Sequence, residues 1–311
     1  MEKVLKPAPL AKGDAVGVVA PASPPNPEKA ERAAALLENF GLRVHFGRSL
    51  TRKYGYLAGT DEERLDELHE MFADRNIKGI FCAGGGYGSG RIASHINYDL
   101  IRANPKIFWG YSDITFLLNA IFQRTGLITF HGPMLSSDLG EEEIHPLTLQ
   151  SFRQAFHPQE ITYTEEISPL QVLVEGEAEG RIVGGNLSLL TSTLGTPFEI
   201  DSKGKLLLIE EIDEEPYRID RMLNQLKMAG KLEEAAGFLL CDFNNCGPRK
   251  RKESLTLEQL FDYYIKPIGK PAMSGFKIGH CSPHIAIPVG ARGRLTTGSK
   301  MFITVEAGVE G

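Results

Sequence analysis

Apolar and polar positions along the first third of the chain separate short buried strands from amphipathic helices. Residues 14–20 (DAVGVVA) are almost continuously apolar and predict a buried strand, stopped by Pro21 and by Pro24-Pro25. A helix should follow: Asn26 can cap it, Pro27 suits the first turn, Ala34, Leu37 and Phe40 share a face, and Gly41 ends it. Leu42 to Phe46 is a second short strand. Thr60-Asp61-Glu62-Glu63 is a capping box, and Leu65, Leu68, Met71 and Phe72 then recur at helical spacing. Ile77–Cys82, Lys106–Trp109 and Leu127–Phe130 are three more strands, with an apolar helix from Asp113 to Arg124 between the last two. This alternation predicts an α/β fold whose N-terminal part is a largely parallel, helix-covered sheet.

The pattern weakens after residue 136. Residues 136–164 are acidic and irregular, and read as a linker between an N-terminal domain, 1–135, and a smaller C-terminal domain, 165–311. That second domain is richer in Gly and in mixed strands. It contains strands at Lys205–Glu210 and Gly237–Cys241 and a helix at Tyr217–Met228 with Ile219, Met222, Leu223 and Leu226 on one face. Thr256 and Gln259 open another helix by the capping-box pattern. There is no internal repeat.

Composition narrows the class. The chain has 311 residues, 42% apolar and 24% charged, as in an ordinary globular protein with a core that needs no disulfide or structural metal. The net charge is −6 and the 34 basic residues are scattered, so nucleic acid is not an expected partner. Met1 to Pro7 lack the apolar stretch of a signal peptide, and no segment approaches the roughly 18–20 apolar residues needed to cross a membrane. A cytoplasmic chain with no membrane partner is the expectation. Cys82, Cys241, Cys246 and Cys281 fit no zinc spacing and read as reduced, mostly buried thiols.

Two turns carry the candidate chemistry. Gly84-Gly85-Gly86-Tyr87-Gly88-Ser89-Gly90 follows a strand and precedes a helix, but Arg91 and Ile92 stand where a phosphate loop needs Lys and Ser/Thr, and G-x-G-x-x-G fails in every register. Such glycines can still aim backbone amides at a ligand, as an oxyanion hole requires, or simply make a tight turn. In Gly110-Tyr111-Ser112-Asp113-Ile114, a serine sits between a buried strand and an apolar helix, where a sharp turn would lift a nucleophile beside a helix N-terminus. Ile114 replaces the second Gly of G-x-S-x-G, and the alternative is a serine that merely caps the helix.

A serine nucleophile needs a base and the base needs an orienting acid. His45, His69, His95, His145 and His157 read as structural or solvated, whereas His131, ending the fifth strand, is a competitor. His280, in Gly279-His280-Cys281-Ser282-Pro283-His284, is the better base; the i,i+4 pair with His284 resembles zinc ligands, but Gly279 and Pro283 disfavour the helix such a pair needs. For the acid, Glu210 and Glu211 end a hydrophobic strand, where a buried carboxylate requires a partner. Arg218 and Arg221 could hold a substrate carboxylate, although Asp220 beside them favours an ion-pair lattice.

Taken together, these motifs resemble the LD-carboxypeptidase family of serine peptidases, which includes murein tetrapeptide carboxypeptidases and microcin-immunity peptidases. The resemblance spans nearly the whole chain and is carried by Gly85-Gly86-Tyr87-Gly88, Gly110-Tyr111-Ser112-Asp113, Phe130-His131-Gly132-Pro133-Met134, Gly184-Gly185-Asn186-Leu187-Ser188, Tyr217-Arg218-Ile219-Asp220-Arg221 and Gly279-His280. It implies a catalytic triad of Ser112, Glu210 and His280, an oxyanion hole from the amides of Gly86 and Asp113, and a structural role for His131. It further implies hydrolysis of an L,D-peptide bond without cofactor or metal, release of terminal D-Ala from a murein tetrapeptide in cell-wall recycling, and a homodimer. Gly85, Tyr87 and Trp109 are candidate substrate contacts. Gly84 stands where the family often has Arg, which bears on specificity. An aminoacyl- or peptidyl-nucleotide substrate, for which Trp109 would be the aromatic platform, and a catalytically silent binding protein are the alternatives.

Overall fold

A computed structural model describes residues 4–249 and 253–311. Met1, Glu2 and Lys3 of the N-terminal stretch read above lie outside the described residues. The chain divides into two compact units.

The first unit comprises Met1–Gln159, Pro283–Gly290 and Ala307–Gly311. Its sheet contains β1 (Ala15–Val19), β2 (Arg43–Phe46), β3 (Ile77–Cys82), β4 (Ile107–Gly110) and β5 (Thr129–His131) in the order 2-1-3-4-5, all parallel. A sixth strand, Ile287–Val289, lies antiparallel on β5. The predicted helices are present: Pro27–Asn39 is capped by Asn26, and Asp61–Ala73 carries both halves of the Thr60/Glu63 capping box. Strand order reverses between β1 and β3, and crevices at the C-terminal strand ends of such sheets are where ligands bind. The loops after β3 and β4 are the glycine stretch and the serine turn.

The expected linker, 136–164, carries structure. Leu135–Leu139 is a single π-helical turn and Pro146–Phe152 a helix. Fully buried Phe152 packs against Phe40, Phe81 and Trp109 at ring distances of 5.6, 5.5 and 5.1 Å. Burying an aromatic ring of that size against three others anchors the segment despite its polar sequence.

The second unit comprises Glu160–Ser282 and Ala291–Glu306. It holds an eight-stranded mixed sheet. Its strands are β6 (Thr162–Tyr163), β7 (Gln171–Val174), β8 (Glu177–Asn186), β9 (Leu206–Ile212), β10 (Gly237–Asn244) and β11 (Ala272–Ser274). The strand Ile287–Val289 of the first unit is β12, and β13 (Arg292–Thr296) and β14 (Met301–Thr304) complete the second. Strands β8 to β11 are parallel neighbours, with antiparallel pairs on both flanks. The Leu206–Ile209 and Phe238–Leu240 runs are wholly buried, as a strand covered on both faces requires. The helix Leu257–Tyr264 starts with the predicted Thr256/Gln259 box.

Among the described residues no helix is long and apolar enough to cross a membrane. Cys82, Cys241 and Cys246 are buried, and burial pushes their thiols up, Cys246 to about 12.

Candidate active site

In the first unit, Ser112 begins a short 3-10 turn directly after β4 with φ +59, a left-handed conformation that non-glycine residues seldom adopt. The cap of the following helix, Thr115–Thr125, is Ile114, so Ser112 is not its N-cap. Parallel pairing of Phe81 with Trp109 puts the ends of β3 and β4 side by side, which brings the glycine stretch against the serine. A Cβ on Gly85 would stand 2.9 Å from Ser112 Oγ and 3.4 Å from Asp113 N. Only glycine leaves that space beside Ser112 open. Ser23 pins the loop: its amide donates to Gly85 O and its hydroxyl accepts from Tyr87 N, both at 3.1 Å. Asp113 accepts from Ser89 N at 2.8 Å, and burial holds its carboxyl above the usual range.

Arg64, unremarked in the sequence, is wholly buried in the helix Asp61–Ala73. It donates to Pro21 O and, at 2.9 Å, to Gly88 O, tying the helix to the glycine loop. Its position in the first turns of a charged helix gave no sign of this.

The expected aromatic contacts divide. Trp109 is fully buried, stacked on Phe130 at 5.2 Å with its indole N–H on Pro133 O at 2.9 Å. It presents no face to a substrate, because it sits on a strand covered on both sides. Tyr87 is 53% exposed and meets Tyr56, 65% exposed, edge-on at 5.6 Å. Gly84 also has a local setting: a Cβ there would lie 2.9 Å from Ser136 Oγ.

In the second unit, His280 Nδ1 lies 2.7 Å from Glu210 Oε2, and Glu210 is wholly buried. A carboxylate there fixes the imidazole's orientation. Gly279 permits the contact, for its φ is +108 and a Cβ would stand 2.6 Å from Glu210 Oε2. Asn244 Nδ2 donates to His280 O at 2.7 Å, bracing the loop from the end of β10. Glu211 turns elsewhere: it accepts from Asn186 Nδ2, Ser188 N and Ser188 Oγ at 2.8, 2.8 and 2.6 Å. Of the two strand-end acids, Glu210 therefore contacts the imidazole, and Glu211 organises the Gly-Gly-Asn-Leu-Ser turn. Burial holds the Glu211 carboxyl above its usual range against those hydrogen bonds.

Other candidates fall to structural roles. His69 Nε2 accepts from Asn97 N, and His145 Nδ1 accepts from Leu147 N at the start of a helix. Arg218 pairs with Glu214 at 3.2 Å.

The LD-carboxypeptidase N-terminal domain matches residues 16–132 and the LD-carboxypeptidase C-terminal domain residues 179–295. A Bacillus subtilis (strain 168) protein named "Probable murein peptide carboxypeptidase" is 63% identical over 304 residues, covering 98% of this chain and 95% of the relative. The "Murein tetrapeptide carboxypeptidase" of Pseudomonas aeruginosa is 32% identical, covering 88% and 91%. A solved structure of MccF in complex with glutamyl sulfamoyl guanosine superposes with a TM-score of 0.89 at 27% identity, covering 98% of this chain and all of that one.

Proposed function

The chain belongs to the LD-carboxypeptidase family, and from that premise we propose that it releases D-Ala from murein tetrapeptide by a Ser112–His280–Glu210 mechanism. The observation that supports this most is the buried Glu210 carboxylate on His280 Nδ1, at 2.7 Å. Such a bond selects the tautomer with a basic Nε2 and stabilises the imidazolium that forms when it takes a proton. Ser112 Oγ attacks the carbonyl of meso-diaminopimelate while Nε2 takes its proton. The tetrahedral oxyanion is met by the amides of Gly86 and Asp113; losing one such donor typically costs about 10²–10³ in turnover. The proton then passes to the departing D-Ala amine, and water hydrolyses the acyl-enzyme with His280 again as base. In this reading the reaction serves cell-wall recycling in the cytoplasm, and the family resemblance favours a homodimer.

Incubation with murein tetrapeptide should yield tripeptide and D-Ala, and Ser112→Ala should lower the rate by about 10³ or more. Absence of D-Ala release where the Pseudomonas aeruginosa relative is active would overturn the substrate assignment.

A second reading draws support from the exposed Tyr56–Tyr87 pair, which offers the aromatic face that buried Trp109 does not. It takes an aminoacyl nucleotide as substrate, in line with the nucleoside ligand of the MccF structure. Parallel assays with an aminoacyl sulfamoyl nucleoside separate the two: cleavage of that compound in preference to tetrapeptide favours the second.

A further inference from the structure

We propose that Tyr111, His131, His284 and Asp138 form a buried cage that positions Ser112, setting the nucleophile's reactivity without touching substrate. The proposal rests on Ser112 being the nucleophile. Tyr111 is joined to Ser112 by one peptide bond and is itself buried, with extended backbone at φ −155. Its ring is met edge-on by His284 at 4.5 Å and by His131 at 5.7 Å, and the two imidazoles meet each other at 5.6 Å. The Tyr111 hydroxyl donates to Asp138 Oδ1 at 3.3 Å, and the same oxygen lies 3.7 Å from His284 Nδ1. The other carboxylate oxygen accepts from Met134 N at 2.9 Å and Ser137 Oγ at 2.8 Å. Burial pushes the Asp138 carboxyl up, but the neighbouring His284 imidazole and the hydrogen bonds from Ser137 and Met134 outweigh it, and the net shift is down.

The four side chains come from four separated segments: the ends of β4 and β5, the turn Leu135–Leu139, and the chain just before β12. Three buried polar rings gathered beside a carboxylate that is only 12% exposed are expensive, and apolar residues would fill the same space at lower cost. Departures of this kind concentrate where function requires them. A left-handed non-glycine residue persists only where its surroundings over-determine it. A preceding ring held by two imidazoles and a carboxylate supplies that constraint at Ser112, which a helix-capping serine would not need.

The test measures kcat and KM for D-Ala release by His284→Ala, His284→Phe and Tyr111→Leu, with the folded fraction fixed by urea titration and Ser112→Ala as reference. His284→Ala and Tyr111→Leu should lower kcat about 30–100-fold with KM within about twofold, the pattern of a misplaced nucleophile. His284→Phe keeps an edge-on ring and should recover most of the loss, which a general loss of stability would not produce. An unchanged kcat in folded His284→Ala, or no recovery in His284→Phe, overturns the cage. If His284→Ala does not fold, His284→Gln takes its place with the same expected outcomes. Failure of the nucleophile assignment is distinguishable, because Ser112→Ala would then retain activity whatever the cage variants do.

Discussion

At the residue scale, the backbone of Ser112 and the contact at Gly279 make opposite demands. Ser112 holds φ +59, which costs a non-glycine residue about 1–3 kcal/mol. Ser112→Gly should therefore be more stable than Ser112→Ala by about 1 kcal/mol in urea titration, while both abolish turnover. Gly279→Ala does the reverse: its Cβ would stand 2.6 Å from Glu210 Oε2 at φ +108, so activity should fall at least tenfold along with about 1–3 kcal/mol of stability. Asp138 gives a pH signature. Its pKa is lowered on folding, so its contribution to stability is present above the unfolded value near 4 and is lost as pH falls through the lowered folded value. The stability difference between wild type and Asp138→Asn should be full at pH 7 and shrink below about pH 4, as urea titrations across that range will show. Ser112, Glu210 and His280 stood out as candidates because each sits in a short motif, at a strand end or in a Gly-led loop. Trp109 was not, because a sequence gives a residue's identity without saying which of its faces meets solvent. The cage was hidden because its members lie up to 173 positions apart, from Tyr111 to His284.

At the scale of elements, what is local in energy is local in sequence. Both capping boxes form as their letters dictate, since four consecutive residues contain every donor and acceptor involved. Buried strands announce themselves as apolar runs, and the β8–β11 core of the second sheet includes two of them. The strands β6 and β12, of two and three residues, carry too few residues for any period to show. Arg64 is the instructive failure: a charged residue in a charged first turn reads as solvated, yet it is buried and holds Gly88 O and Pro21 O. Arg64→Met keeps the length and drops the donors, so Pro21 O loses its guanidinium partner and Gly88 O keeps only the amide of Arg91. It should cost about 2–4 kcal/mol by urea titration and reduce turnover through the loosened glycine loop.

For the whole molecule, the alternation of strands and helices was enough to give the α/β class, and sequence resemblance gave the family. The division of the chain was harder, because the first unit is assembled from three stretches, 1–159, 283–290 and 307–311. A fragment ending at residue 135 omits Phe152 from beneath Trp109 and leaves β5 without β12. Such a fragment should lack a cooperative thermal transition, measurable by circular dichroism, whereas the full chain should show one. The interleaved order also has a consequence on the ribosome. His131 emerges about 150 residues before its strand partner Ile287, a wait of roughly 8–30 s at ordinary rates of synthesis. His284 is translated in the same late stretch. A nascent chain thus carries its serine for most of its synthesis with the sheet edge beside it uncovered and the clamp on Tyr111 incomplete. Premature termination before that stretch would release a polypeptide that exposes a pairing edge and lacks His284 beside Tyr111, a product for the cell's quality control.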